Sequence, residues 1–409
     1  MFRVLDIATK IILGAMFTVA LIGHFSAAHA TSFKVLHSFT GGTDGCSPSG
    51  GLILDGSGNL YGTAVGSSCE SCGTVFKIAP SGSETVLHSF TCGSNGEGPD
   101  DTLVMDEKGN LYGATVEGGS IGCGVIFKVT PTGREKTVHD FTGQPDDGCI
   151  AEGTLIIDKD GNFFGTTNIG GKNNGGTVFE FTVDGTEKVL YSFCRRVRCA
   201  DGESPLAGVI ADSAGNLYGT TDSGGKLGCG NECGTVFKLA PDGTETVLYK
   251  FKGPPNDGNN PDGDLIIDQS GNFYGTLYGG RLGSSCAYEG CGAVFKLAPD
   301  GSETVLHFFT GRKGDGANPF AGLIADAAGN LYGTTEFGGG RRCTVITIGC
   351  GTVFELAPDG TETVLHSFGT GSRGAIPAGG LVADSAGNLY GTTSEGGVSG
   401  FGTVFEITP

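Results

Sequence analysis

Short apolar runs separated by turn residues fill the chain, and no window carries the three-to-four-residue period of an amphipathic helix. The runs recur in a set order. An apolar run ending in Asp, such as Leu52-Ile53-Leu54-Asp55, reads as a strand buried on both faces. A tight turn and the phrase Gly58-Asn59-Leu60-Tyr61-Gly62-Thr63 follow it. Next come a glycine-rich loop, a strand opening Gly73-Thr74-Val75-Phe76, a Pro-x-Gly turn and the run Glu84-Thr85-Val86-Leu87-His88-Ser89-Phe90. The phrase begins again at Gly109, Gly161, Gly215, Gly271, Gly329 and Gly387, at spacings of 51 to 58 residues. Four short antiparallel strands per repeat predict a propeller blade, and the chain is therefore predicted to be all-β, a seven-bladed β-propeller.

The two ends fit that count. The last repeat stops after its third strand, residues 402–407, and an orphan fourth strand, residues 33–39, stands before the first. If the orphan completes the last blade, the ring closes without an exposed edge and residues 31–409 form one domain. Residues 1–30 read as a secretory signal peptide, with Arg3 and Lys10 ahead of an apolar run over residues 11–23 and the small-residue pattern Ala28-His29-Ala30. The run has 13 residues where roughly 20 are needed to cross a bilayer, so no membrane span is expected. The chain is expected to be secreted or periplasmic, and monomeric.

Composition sharpens this picture. With 77 Gly but only 15 Pro and no G-x-y period, neither a collagen rod nor a proline-rich linker fits. Loss of residues 1–30 removes Arg3, Lys10 and Asp6, leaving 23 basic against 43 acidic side chains, a net charge of −20. Such a surface repels nucleic acid and anionic lipid. The phrase GNLYGTT, then GG, then GTVF-x-L-x-P-x-G-x-x-T-V-L-H-S-F resembles the bacterial GloVer tandem repeat and covers residues 33–409. The resemblance implies export and a propeller; it carries no catalytic residues over. The family's members bear varied C-terminal anchors, and no anchor segment is seen here. The Asp-x-x-Gly-Asn turn is also similar to that of NHL-type propellers. Absence of Trp sets the chain apart from WD40, kelch and quinoprotein propellers.

Antiparallel order puts the Asp-x-x-Gly-Asn and Pro-x-Gly turns on one face and the long loops on the other, where binding residues are expected. All 14 Cys fall on the long-loop face. Cys69/Cys72, Cys229/Cys233, Cys286/Cys291 and Cys343/Cys350 lie within second loops and Cys194/Cys199 between blades 3 and 4, so these near neighbours are expected as disulfides. Cys46, Cys92, Cys123 and Cys149 leave three connectivities open. His37, His88, His139, His307 and His366 share one slot of the outermost strands, replaced by Tyr191 and Tyr249 in two blades. A residue repeated by register serves blade packing, and no singular His remains as general base for a Ser-His-Asp or Cys-His hydrolase.

The Asp residues at Asp55, Asp106, Asp158, Asp212, Asp268, Asp326 and Asp384 read as turn formers. A second register, Asp44, Asp147, Asp201, Asp257 and Asp315, with Asn95 and Arg373 in the other blades, is expected at the rim of the central channel, where Ca²⁺ is a candidate. Departures from the repeat point to function more sharply. Asp100, Asp101, Glu152, Asp262 and Asp264 stand ahead of the inner strands of blades 2, 3 and 5. The long loops carry Arg195, Arg196, Arg198, Arg281, Arg312, Arg341, Arg342 and Arg373, with Tyr278 and Tyr288 outside the repeated slots. Guanidinium groups in an acidic protein suit carboxylate, sulfate or phosphate groups of a ligand. The leading expectation is a non-catalytic module that binds an anionic extracellular glycan or a surface protein through Arg195, Arg196, Arg198, Arg312, Arg341, Arg342, Tyr278 and Tyr288. The rival is a metal-dependent lactonase or polysaccharide lyase with Asp101, Glu152 and Asp264 around a cation. A third reading is a structural envelope component.

Overall fold

A computed structural model describes residues 32–409 apart from 67, 68, 70, 144, 183–185, 226–232, 281–285, 287–289, 313 and 341–348. The expected signal peptide lies outside the described residues. Seven four-stranded antiparallel sheets form the blades. Blade 1 runs Ile53–Leu54, Leu60–Ala64, Thr74–Ile78 and Glu84–Ser89 from the channel outward. Blades 2 to 6 repeat that order. Blade 7 is built from Val382–Ala383, Leu389–Thr393, Thr403–Thr408 and, as its outermost strand, Ser32–Ser38. Phe33 pairs with Ile407 and Val35 with Phe405, so the two ends of the chain close the ring as expected. Among the described residues no helix is long and apolar enough to cross a membrane.

The innermost strands are shorter than the apolar runs implied. Only two residues of each enter the ladder, and Ile53 and Leu54 are half-buried, while Leu52 just before them is buried. The side chains of these two residues pack on the seams to either side of the blade, Ile53 towards blade 2 and Leu54 towards blade 7.

The blades hold together through one apolar cluster per seam. The Phe that follows each outermost strand lies edge-on to the third-strand Phe of the next blade. Phe90 meets Phe127 at 5.0 Å, Phe193 meets Phe237 at 5.0 Å, and Phe39 meets Phe76 at 5.1 Å across the closing seam. Burying such a ring is worth about 1.5–3 kcal/mol. Glycine of the repeated phrase makes room for it: a Cβ on Gly62 would stand 2.8 Å from the Phe76 ring and 2.7 Å from Leu52. The first-face turn is equally specific. Asp55 Oδ1 accepts from the amides of Ser57 and Asn59, and Oδ2 from the Asn59 side chain and the Tyr61 hydroxyl, while Gly58 sits at φ +80°. The repeated turn aspartates are structural, as expected.

The disulfides differ from the near-neighbour expectation at one place. Cys69 and Cys72 do not pair with each other: Cys46 bonds Cys69, and Cys72 bonds Cys92. Cys123 bonds Cys149, while Cys194–Cys199 and Cys286–Cys291 pair as expected. The reason is loop order in space. Each second loop lies beside the loops that enter and leave its blade, with Gly66 N donating to Cys46 O and Gly98 N to Cys72 O. Separations of 20 to 26 residues replace a separation of three, so each of these bridges contributes about 3 kcal/mol in the chain-entropy account. Cys233 and Cys350 are also disulfide-bonded. Their expected partners Cys229 and Cys343 lie outside the described residues.

Candidate functional site

Two regions of the long-loop face depart from the repeat. The first is the channel mouth. Ser49, Asp100, Glu152, Leu206, Asp262, Phe320 and Ala378 occupy one register position around it, with Asp101 and Asp264 one and two positions deeper. Asp264 Oδ1 accepts from Gly208 N of blade 4 at 2.7 Å and its carboxylate also from the Thr154 hydroxyl of blade 3, so the channel is narrow here. Asp100 accepts from the Ser49 hydroxyl, and Glu152 Oε2 from Asn168 Nδ2 at 3.0 Å. Burial, then the charges of Asp100, Asp264 and Glu152, hold the Asp101 carboxyl well above the usual carboxylate range. Burial also raises Asp100, Asp264 and Glu152 and pushes Glu336 up to about 7. The structure thus brings the expected acids Asp101, Glu152 and Asp264 within reach of one another's charge. Among the described residues, however, they do not join the groups whose three donor atoms lie within 4.8 Å of one another. Tyr278 bonds Glu336 and stands edge-on to the exposed ring of Phe320 at 6.2 Å.

The second region is the outer seam between blades 3 and 4. Cys194 and Cys199 close a hairpin whose tip, Arg195-Arg196-Val197-Arg198, is exposed, Val197 at 79%. Asp201 anchors it, accepting from the amides of Arg195 at 2.9 Å and Arg196 at 3.0 Å and from the Tyr191 hydroxyl at 2.9 Å. The Arg195 guanidinium lies over the Tyr191 ring at 5.3 Å, and Arg196 Nη2 reaches Glu245 Oε2 at 2.9 Å. Open depressions of about 400 and 390 Å³ lie on either side of Tyr191. The first is lined by Lys172, Lys188 and Arg195 together with Asp146 and Glu187.

The expected arginines therefore do not gather in one place. Arg195, Arg196 and Arg198 share the hairpin, whereas Arg312 belongs to the loop between blades 5 and 6, two blades further round, and Arg373 to the next. Arg281, Arg341, Arg342 and Tyr288 lie outside the described residues. The second Asp register is not at the channel rim either. Asp44, Asp147, Asp201, Asp257 and Asp315 turn to the outermost strand, where His37, His139, Tyr191, Tyr249 and His307 face them at 2.9 to 3.6 Å. Their own loops tie them down: Asp147 Oδ2 accepts from Thr142 N and Asp257 Oδ2 from Lys252 N. This network, completed by the Glu that opens the next blade's outermost strand, was missed from sequence. Its signal is the constant offset of eight residues from His139, Tyr249 and His307 to Asp147, Asp257 and Asp315.

The network titrates. Burial, then the charge of Asp44 or Asp257, pushes Glu84 and Glu303 up to about 7 from 4.5. Their stabilising contribution is complete below about 4.5 and is lost as pH rises through about 7. The turn aspartates act in the opposite sense. Burial would raise Asp55 and Asp212, but hydrogen bonds from Asn59 and Asn216 hold them below 3.8, so their contribution is lost in acid. With chelator present, the melting temperature should peak between these limits and drop by several degrees at about pH 8.5, and Glu303→Gln should flatten part of the drop. Circular dichroism melts across pH check this; an unchanged alkaline slope in the variant contradicts the assignment.

The fold and loops define a disulfide-clasped repeat propeller. Its sequence belongs to the Gloeobacter/Verrucomicrobia repeat family, whose model matches residues 14–231 and 230–409. No curated protein matches the sequence. Among solved structures, the extracellular domain of a protein described as a hybrid two-component system of B. thetaiotaomicron aligns over 91% of this chain at 12% identity and a TM-score of 0.55. The chain spans 39% of that domain's length, and the likeness is one of fold. A protein described as a gluconolactonase aligns at 13% identity, over 96% of each chain, with a TM-score of 0.43. A luciferin-regenerating enzyme aligns at 12% identity, over 93% of this chain and 96% of its own, with a TM-score of 0.41.

Proposed function

We propose that this propeller is an exported binding module whose ligand is anionic: an extracellular glycan bearing carboxylate or sulfate, or an acidic patch on a surface protein. It binds in the depression beside the 194–199 hairpin. The observation that carries the reading is charge placed against the trend. In a chain of net charge −19, Lys172, Lys188 and Arg195 flank one depression of about 400 Å³, and Arg196 and Arg198 continue the basic edge on a disulfide-closed tip. A tip closed by a six-residue disulfide loop loses little freedom on binding, which favours affinity. Export is supported by the signal-like residues 1–30 and by bonded cysteines, which persist in oxidising compartments. A glycan array probed with the protein and with its Arg195→Ala, Arg196→Ala, Arg198→Ala triple variant tests the site. Binding to sulfated or uronate-bearing glycans should disappear in the variant; equal binding removes the assignment.

The metal-dependent enzyme reading rests on Asp101, Glu152 and Asp264. It is favoured only by their mutual charge, since their oxygens are not drawn into a compact donor set. A melting temperature indifferent to added Ca²⁺ counts against it.

A further inference from the structure

We propose that two outer seams each bind one divalent transition-metal ion of the zinc class, through His139, Asp147 and Glu187 between blades 2 and 3 and through His307, Asp315 and Glu362 between blades 5 and 6. In each set the three donor atoms lie within 4.8 Å of one another and come from three separate segments of the chain. His139 Nε2 lies 3.2 Å from Asp147 Oδ2 and 3.4 Å from Oδ1, and His307 Nε2 lies 3.4 Å from Asp315 Oδ1. Two ligands at zinc distances and a tetrahedral angle stand about 3.3 Å apart, so little movement is needed to admit the ion. The carboxylates are already oriented. Asp147 accepts from Thr142 N at 2.7 Å, the Thr142 hydroxyl at 3.0 Å and Gly148 N at 2.7 Å; Asp315 accepts from Thr310 N at 2.8 Å and from the Thr310 hydroxyl. Such outer contacts hold metal ligands in place.

The third ligand offers an oxygen without a hydrogen bond, as Glu84, Glu245 and Glu303 do in the same slot of other seams, and among the described residues it is at these two seams that His, Asp and Glu donor atoms converge. Glu187 Oε1 and Glu362 Oε1 are shielded from solvent and accept no hydrogen bond. Comparison around the ring shows what other seams do with the same slot. Between blades 4 and 5 the Tyr249 hydroxyl reaches both Asp257 and Glu303, at 3.0 and 3.4 Å. Between blades 3 and 4 Arg196 meets Glu245. Between blades 1 and 2 Asn95 replaces the aspartate, and between blades 6 and 7 Phe33 stands in place of the glutamate, stacked on His366 at 3.8 Å. The closing seam keeps His37, Asp44 and Glu84 but holds His37 3.6 Å from Asp44, and its donors are not within the 4.8 Å span. A His and two carboxylates suit zinc better than an all-oxygen cation site, the ion taking the place of the His–Asp hydrogen bond. Three protein ligands leave a coordination position open, and Glu187 also lines the basic depression, so an anion bound there would have the ion at its edge.

Chelator-stripped purified protein, equilibrated with micromolar Zn²⁺ and freed of excess by gel filtration, should retain two equivalents by mass spectrometric metal counting. Glu187→Gln should retain one, the double variant Glu187→Gln with Glu362→Gln none, and His88→Gln, at the seam carrying Asn95, the full two. Co²⁺ substituted into the unaltered protein should show the intense visible bands of a tetrahedral site, a readout independent of whether any variant folds. A wild-type count other than two, retention unchanged in the double variant, or Co²⁺ bands of octahedral strength would overturn the assignment. Loss of anion binding in the hairpin variant leaves this count untouched, so the two readings fail separately.

Discussion

Deleting residues 32–38 should abolish soluble monomeric protein. That strand covers Thr403–Thr408 along its whole length, from Ser32 against Thr408 to Ser38 against Thr403. Without it Thr403–Thr408 becomes a bare edge and its Val404, Phe405 and Ile407, all fully buried now, lose their cover. Phe33 also leaves His366, on which it stacks, and Phe405, 5.8 Å away. Size-exclusion chromatography of the truncated chain should show aggregate in place of monomer. A circular permutant supplies the control. The third strands of blades 1, 2, 4, 5 and 6 run into a Pro-x-Gly turn, so a two-residue Asp-Gly link joining Pro409 to Ser32 recreates the spacing of Pro80-Ser81-Gly82-Ser83 and should restore a monomer. A truncated chain that stays monomeric and melts unchanged would contradict ring closure by the terminal strand.

Phe237→Ala should strongly destabilise the ring of blades. The ring is fully buried, meets Phe193 of the preceding blade at 5.0 Å and occupies the space left by Gly219, whose Cβ would stand 2.8 Å from it. Truncating such a ring costs about 3–5 kcal/mol, equivalent to a melting-temperature loss of about 5 °C in a chain of this size. Ile121→Ala, at a side chain 59% exposed, should cost less than about 0.5 kcal/mol. Denaturant melts of the two variants check the contrast. A Phe237→Ala loss below about 1 kcal/mol would mean that the seam rings are not what joins the blades.

The ring itself was readable because every blade repeats the same phrase and turns, so seven weak signals reinforce one another. The split of the last blade between the two ends followed from simple counting of strands. What escaped were contacts between neighbouring repeats. Cys69 and Cys72, three residues apart, look like a pair in the sequence, yet each bonds the loop that passes beside it in space. Asp147 looks like a channel-rim acid because it precedes an inner strand. Its side chain instead turns outward, because Thr142 and Gly148 amides and His139 offer donors there. The arginines looked gathered because they share a face, whereas sevenfold geometry spreads that face over separate seams. Lys172 and Lys188, which complete the basic depression, gave no sequence signal: one sits in a glycine-rich loop and the other in an outermost strand, and only packing brings them to Arg195.

The binding reading is tested most directly by calorimetric titration of the protein with a sulfated polysaccharide at two salt concentrations, beside the Arg195→Ala, Arg196→Ala, Arg198→Ala variant and an Arg373→Ala control. Binding should weaken with salt, fall at least about tenfold in the triple variant and be unchanged by Arg373→Ala. Equal affinity of the triple variant and the unaltered protein would contradict it.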